Sequence, residues 1–185
     1  NVIVNRPEVI SYPAAEKFCS AVAGQEISSM SRRGKFLMFH LKNESRIILH
    51  LRMTGCLLVT PADYLTEKHT HVILQLDNGK ELRFSDTRRF GRFWLIQNDE
   101  EDTYSGIGKL GIEPLSAKCD TEYLQSRLEK RKKPIKGCLL DQSVIAGIGN
   151  IYSDEILFRA GICPTRPSDS LTAAEWLHLA GEIAN

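Results

Sequence analysis

Four stretches of this 185-residue chain have residue types suited to gripping a polyanion. Arg32-Arg33-Gly34-Lys35 sets a primary amine directly behind two guanidinium groups, at what reads as the start of a strand. Phe84-Ser85-Asp86-Thr87-Arg88-Arg89-Phe90-Gly91 places an aromatic ring beside two arginines on a loop between strands. Arg127, Lys130, Arg131, Lys132, Lys133 and Lys136 crowd round a single Glu129. Gly147-Ile148-Gly149-Asn150 stands directly before a segment with helical apolar spacing, so backbone N–H groups feed into a helix start. Such a start binds anions because its first N–H groups are unpaired and the macrodipole is positive there.

Each stretch also has a plainer use. Charge at Lys35 blunts a strand edge, and Phe90 can fold back into a β-sandwich. A basic run is commonly a solvated face, and Gly/Asn clusters mark turns. The glycines are not a dinucleotide fingerprint, since its third glycine would fall at Tyr152.

The elements that must position these residues fall into two halves. Tyr12-Pro13 precedes a short helix, AAEKFCSAVAG, that Gly24 ends. Strands are expected over 26–31, 35–41 and 47–51. Met53-Thr54-Gly55 reads as a turn and 56–59 as the return strand. Segments 72–76 and 81–84 flank Asp77-Asn78-Gly79, a hairpin signal, and 93–96 is a further strand. Short strands at this spacing predict an antiparallel β-sandwich over residues 1–97. Residues 98–118, acidic and then glycine-rich, read as a linker. Residues 119–185 read as helical: TEYLQSRLEKR is amphipathic, Pro134 opens the next helix, and Ser170-Leu171-Thr172 the last. The fold class is therefore α+β. In the second half, Ile151, Tyr152, Ile156, Leu157 and Phe158 are expected on one face of a helix that Gly161 stops.

A hydrophobic content of 42% allows a proper core, and the net charge of +1 conceals basic clusters set against acid gathered at 99–102. No apolar run approaches a membrane span and no leader is visible, so the chain reads as cytosolic, without a membrane partner. Five scattered cysteines argue against a disulfide framework and against a local zinc site.

The run from Lys136 to Pro164, KGCLLDQSVIAGIGNIYSDEILFRAGICP, resembles the helix-two-turns-helix element of the formamidopyrimidine-DNA glycosylase (Fpg/Nei) family. RRGKFL at 32–37, HLRMTG at 50–55, FSDTRRFG at 84–91 and LGIEPL at 110–115 resemble that family as well, so the likeness covers essentially the whole chain. It implies a DNA-repair hydrolase and lyase that flips and excises oxidised purines (8-oxoguanine, formamidopyrimidines) through a Schiff base, then cleaves by β,δ-elimination. The implied partner is double-stranded DNA carrying oxidised bases or abasic sites, held by a monomer in a cleft between the domains. By resemblance Lys35 reaches the target nucleotide. The same resemblance implies that Met53, Arg88 and Phe90 fill the space left by the extruded base and that His69, Arg89, Arg131 and Asn150 contact phosphates. His71 reads as a polar surface residue. Cys163 replaces a frequent histidine.

The family's nucleophile is an N-terminal proline followed by glutamate, and its structural zinc sits in a C-terminal finger. This chain opens without Met, on the apolar run Val2-Ile3-Val4, and neither feature falls within it. The expectation is a chain with no cofactor of its own that is inactive as it stands. Two alternatives remain at this point: a non-catalytic DNA-binding fragment or paralogue, and a binder of structured RNA.

Overall fold

Short strands, several of them buried along nearly their whole length, build the first half of the molecule, which the computed structural model describes along with the rest, over residues 1–185. Strands β1 (Val2–Val4), β7 (Thr70–Gln75), β8 (Lys80–Ser85) and β6 (Cys56–Pro61) form one sheet in that order. Strands β2 (Ile10–Tyr12), β9 (Arg92–Ile96), β5 (Arg46–His50), β4 (Phe36–Leu41) and β3 (Ile27–Arg33) form the other. Phe39 and Leu41, Ile47 and Leu49, Phe93 and Leu95 share one buried cluster with Val72, Leu74, Leu82 and Phe84. Helix α1 (Ala15–Val22) adds Phe18 and Val22 to it. Each such side chain, once fully buried, contributes about 1.5–3 kcal/mol.

Two expectations change here. Cys56 to Val59 does not return along β5: β6 pairs with β8, Cys56 opposite Ser85, so the chain leaves one sheet and enters the other at Met53-Thr54-Gly55. Nor is the sandwich wholly antiparallel, because β2 runs parallel to β9. The β7–β8 hairpin forms as expected, with Gly79 at φ +75° and the Asn78 side chain accepting from the Lys80 N–H at 3.1 Å.

The 62–69 segment lies over the polar face of β8. There Arg83 pairs with Glu81 at 2.7 Å with both side chains buried, and donates to the carbonyls of Leu65 and Ala62 at 3.2 and 3.4 Å. A buried pair is kept only when its remaining donors are satisfied, and these carbonyls satisfy them.

The expected linker is divided between two units, Asn1–Gly106 and Ile107–Asn185. In the first, Tyr104 stacks on Tyr12 with ring centroids 3.7 Å apart, and the Tyr12 hydroxyl donates to Glu100. In the second, Gly111 N–H donates to the Gln142 carbonyl at 2.8 Å, and Ile112 exchanges hydrogen bonds with Val144 and Ala146 at 3.1 and 2.8 Å. A Cβ at Gly111 would stand 2.1 Å from the Val144 carbonyl oxygen, so only glycine permits this approach.

Four helices complete the second unit: α2 (Thr121–Leu128), α3 (Ile135–Leu139), α4 (Asn150–Arg159) and α5 (Ala173–Ala184). Asp120 caps α2 through Tyr123 N–H, and a Thr172/Glu175 capping box opens α5. Leu124, Leu128, Ile135, Leu139, Ile156, Leu157, Trp176 and Leu179 share the core. The expected single apolar face of α4 is split. Ile156 and Leu157 are buried, whereas Ile151, Tyr152 and Phe158 are exposed.

Candidate nucleic-acid interface

Strand register fixes where the sandwich carries its candidate residues. Arg33 pairs with Phe36, Phe36 with His50, and His50 with Arg92, which puts the Gly34-Lys35 turn and both strand ends in one row. In the other sheet Cys56, Ser85 and Thr70 make the matching row. The crossings from residue 50 to 56 and from 85 to 92 join these rows, so Lys35, Met53, His69, Arg88, Arg89 and Phe90 all belong to one end of the sandwich. Lys35 lies in the two-residue turn itself, with Gly34 at φ +54°, and β4 begins only at Phe36.

Asp86 organises that end. Its buried carboxylate accepts from the backbone N–H groups of Arg88 (3.1 Å), Phe90 (2.8 Å) and Gly91 (2.8 Å), and from the Thr54 hydroxyl of the other crossing. Burial alone would raise its pKa, but the hydrogen bonds from Thr54 and the three backbone amides outweigh burial and hold it below the usual carboxylate value. Its own N–H donates to the His69 carbonyl at 3.0 Å, and its carbonyl meets His71 Nε2 at 2.7 Å. His71 is therefore a buried strut and not a surface residue.

On this base the expected trio makes mutual contact. Arg88 Nη1 donates to Met53 Sδ at 3.2 Å, and its guanidinium lies 4.7 Å from the Phe90 ring centroid. Met53 is 72% and Phe90 45% exposed, so Phe90 does not fold into the core. Arg89 sits at φ +57°, and its carbonyl and that of Gly91 are held by Arg92 Nη1 at 2.7 and 2.8 Å. Gly91 has no room for a side chain, since a Cβ there would stand 2.4 Å from Phe84 Cζ.

Sequence reasoning missed His50 and the carboxylate of Asp86. His50 Nδ1 accepts the Arg52 N–H at 3.0 Å, which leaves the proton of the neutral ring on Nε2. Burial first, then Arg52 and Lys35, push its pKa down to about 4, so this imidazole is neutral at pH 7. Burial likewise lowers the pKa of Lys35. The signal for His50 was its place at the end of an apolar run, two residues before Arg52; that for Asp86 was an acid alone among four arginines.

In the helical unit, Gln142 braces the two turns. Its amide donates to the carbonyls of Leu140 (3.1 Å) and Ile148 (2.7 Å) and its oxygen accepts from Gly147 N–H at 2.9 Å. Gly147 takes φ +93° and Gly149 is the N-cap of α4 with no side-chain capping bond. Asn150 follows at the first helical position, exposed. Arg131 is engaged already: its Nη1 donates to Asp141 at 2.7 Å and its Nε to the Arg127 carbonyl at 3.0 Å. Hydrogen bonds from Ser143 and then Arg131 draw the Asp141 pKa down to about 2.

No three His, Cys, Asp or Glu side chains gather into a group that could hold a metal ion. The five free cysteines do not make a zinc site, so the zinc implied by resemblance finds no fit among these residues. No helix is long and apolar enough to cross a membrane.

A β-sandwich with a cationic, aromatic-bearing end, followed by a helix-two-turns-helix unit, defines the class of protein. The models of the formamidopyrimidine-DNA glycosylase N-terminal domain and H2TH domain match residues 1–93 and 110–185, and the chain belongs to the formamidopyrimidine-DNA glycosylase family. It is 47% identical over 182 residues to the formamidopyrimidine-DNA glycosylase of Moorella thermoacetica, covering 98% of this chain and 66% of the relative. With that of Desulforamulus reducens it shares 46% over 171 residues, covering 92% and 62%. The Lactococcus lactis Fpg solved with abasic-site DNA superposes with a TM-score of 0.92 at 33% identity, covering 99% of this chain and 67% of that one. The same protein solved with Fapy-dG DNA gives 0.91 at 33% identity, covering 99% and 68%. The chain thus spans slightly less than two thirds of the length of these curated relatives.

Proposed function

We propose that these residues form the DNA-gripping part of a base-excision glycosylase and AP lyase that removes oxidised purines, 8-oxoguanine and formamidopyrimidines, from duplex DNA. The observation that carries the reading is the exposed contact group of Met53, Arg88 and Phe90. Extruding a base leaves a hole whose unstacking costs a few kcal/mol, roughly, and apolar or planar groups wedged into the stack offset it. Arg88, braced against Met53 and Phe90, suits the orphaned partner base, having a flat guanidinium with several donors. Arg89, His69, Arg131 and the open start of α4 at Asn150 suit phosphates. The DNA complexes of the Lactococcus protein, with an abasic site and with Fapy-dG, support this substrate class.

Lys35 in this reading meets the target nucleotide as a cation. A lysine amine has an ordinary pKa of about 10.4, and burial is the sole cause lowering this one. Imine formation at the sugar C1′ needs an unprotonated amine, which the family takes from its proline leader. These 185 residues by themselves should therefore bind abasic DNA weakly, as a monomer and without a cofactor, and form little or no borohydride-trapped adduct.

Fluorescence anisotropy tests the proposal against an abasic-analogue duplex, an intact duplex, the single strand and a structured RNA. A clear preference for the abasic duplex is expected. Equal affinity for RNA would overturn the reading in favour of an RNA binder, and trapping abolished by Lys35→Ala would make Lys35 the nucleophile.

A further inference from the structure

The two sheet crossings are separate in sequence, yet one carboxylate holds both. Thr54, beside Met53, donates its hydroxyl to Asp86 Oδ1. Oδ1 also accepts from Arg88 N–H at 3.1 Å, and Oδ2 takes the N–H groups of Phe90 and Gly91 at 2.8 Å each. Asp86 is 1% exposed, so it does not touch a ligand itself. Every contact its carboxylate makes goes to the backbone under, or the residue next to, a member of the exposed trio.

We propose that Asp86 is a positioning residue that locks the Met53 and Arg88–Phe90 segments into one rigid wedge, with the Thr54 hydroxyl as the latch between them. The proposal rests on the wedge reading above. A buried carboxylate surrounded by donors keeps one geometry, because any other leaves an N–H or O–H unpaired away from water. The wedge is thereby ordered before it meets DNA, and little further ordering is left for the binding step. Two segments so joined should respond to substitution as one.

The test is a double-mutant cycle on the ratio of affinities for abasic-analogue duplex and single strand. In the otherwise natural chain, Met53→Ala and Phe90→Ala should be non-additive, the double variant losing less than the product of the single losses by about fivefold. In a Thr54→Val background, which cuts the latch and leaves the three backbone bonds, the two losses should multiply. Thr54→Ser, which keeps the hydroxyl, should restore the coupling. Asp86→Asn should also abolish it, and Thr54→Val serves should that variant fail to fold, with thermal melting as the control. A coupling that survives both Thr54→Val and Asp86→Asn would overturn the role of Asp86 and leave the wedge reading standing. If neither Met53→Ala nor Phe90→Ala moves the ratio, the wedge reading falls and the latch with it.

Discussion

Arg131 Nη1 donates to Asp141 Oδ2 at 2.7 Å, so an arginine expected to meet a phosphate is already held by a carboxylate. Lys133 leans on the same acid at 3.8 Å, and Lys136 pairs with Asp154 at 2.7 Å. The basic run therefore carries less free charge than its composition suggests.

Salt dependence of DNA binding should expose this difference. Each phosphate neutralised contributes about −0.9 to the slope of log K against log salt. Arg89→Ala, which removes an unpaired loop arginine, should flatten the slope by roughly one unit. Arg131→Ala should flatten it less, and Asp141→Asn, which frees Arg131, should steepen it. Identical slopes for all three variants in anisotropy titrations would remove these residues from the interface.

The wedge should matter only where there is a stack to mend. Met53→Ala and Phe90→Ala should each weaken binding to an abasic-analogue duplex by about tenfold, in the range of one aromatic contact to a base, while leaving single-strand affinity nearly unchanged. The fluorescence of 2-aminopurine placed opposite the abasic site should rise in both variants as the stack loosens.

His50 makes stability depend on pH. Its folded pKa of about 4 lies below the ordinary imidazole value, so the unfolded chain takes up the proton first as pH falls. Its contribution is complete above about pH 6.5 and is lost progressively down to about pH 4. Urea midpoints measured between pH 7 and 5, above most carboxylate titrations, should fall with pH, and His50→Gln should flatten that fall. A variant with the same pH slope as the natural chain would contradict the assignment.

Two glycines of the helical unit should behave oppositely. Gly111→Ala forces a Cβ to within 2.1 Å of the Val144 carbonyl and should destabilise by about 1–3 kcal/mol, as overpacking does. Gly137 lies in α3 with open space where a Cβ would go, and Gly137→Ala should stabilise by up to about 1 kcal/mol. Denaturant midpoints decide both.

Short apolar runs and turn chemistry made the β-sandwich and the β7–β8 hairpin readable from the residues, because such runs and Asn78-Gly79 are local signals. The partner of β6 was not readable: nothing local in Met53-Thr54-Gly55 says whether a chain turns back or crosses to a second sheet. The membership of α4 residues in the core failed for a similar reason. Ile151, Tyr152 and Phe158 are apolar, but which helical face is covered depends on neighbours far along the chain. In the candidate site, the exposed cations and aromatics could be picked out by type. Asp86 stood out only as an acid among arginines and His71 not at all, since their roles come from burial and from hydrogen bonds that sequence spacing does not encode.

The gathering of the sandwich's candidate loops at one end leaves the other end without any of them. The turns at Asn43-Glu44 and Asp77-Asn78-Gly79 face away from the rows that carry Lys35, His50 and Asp86, and both are exposed. Loop tips of that kind tolerate inserted residues well. A fluorophore or a tether grafted at the 77–79 hairpin would thus ride on the same compact unit as the end that carries Lys35 and Arg88 while staying clear of it, giving the molecule a natural handle for single-molecule work.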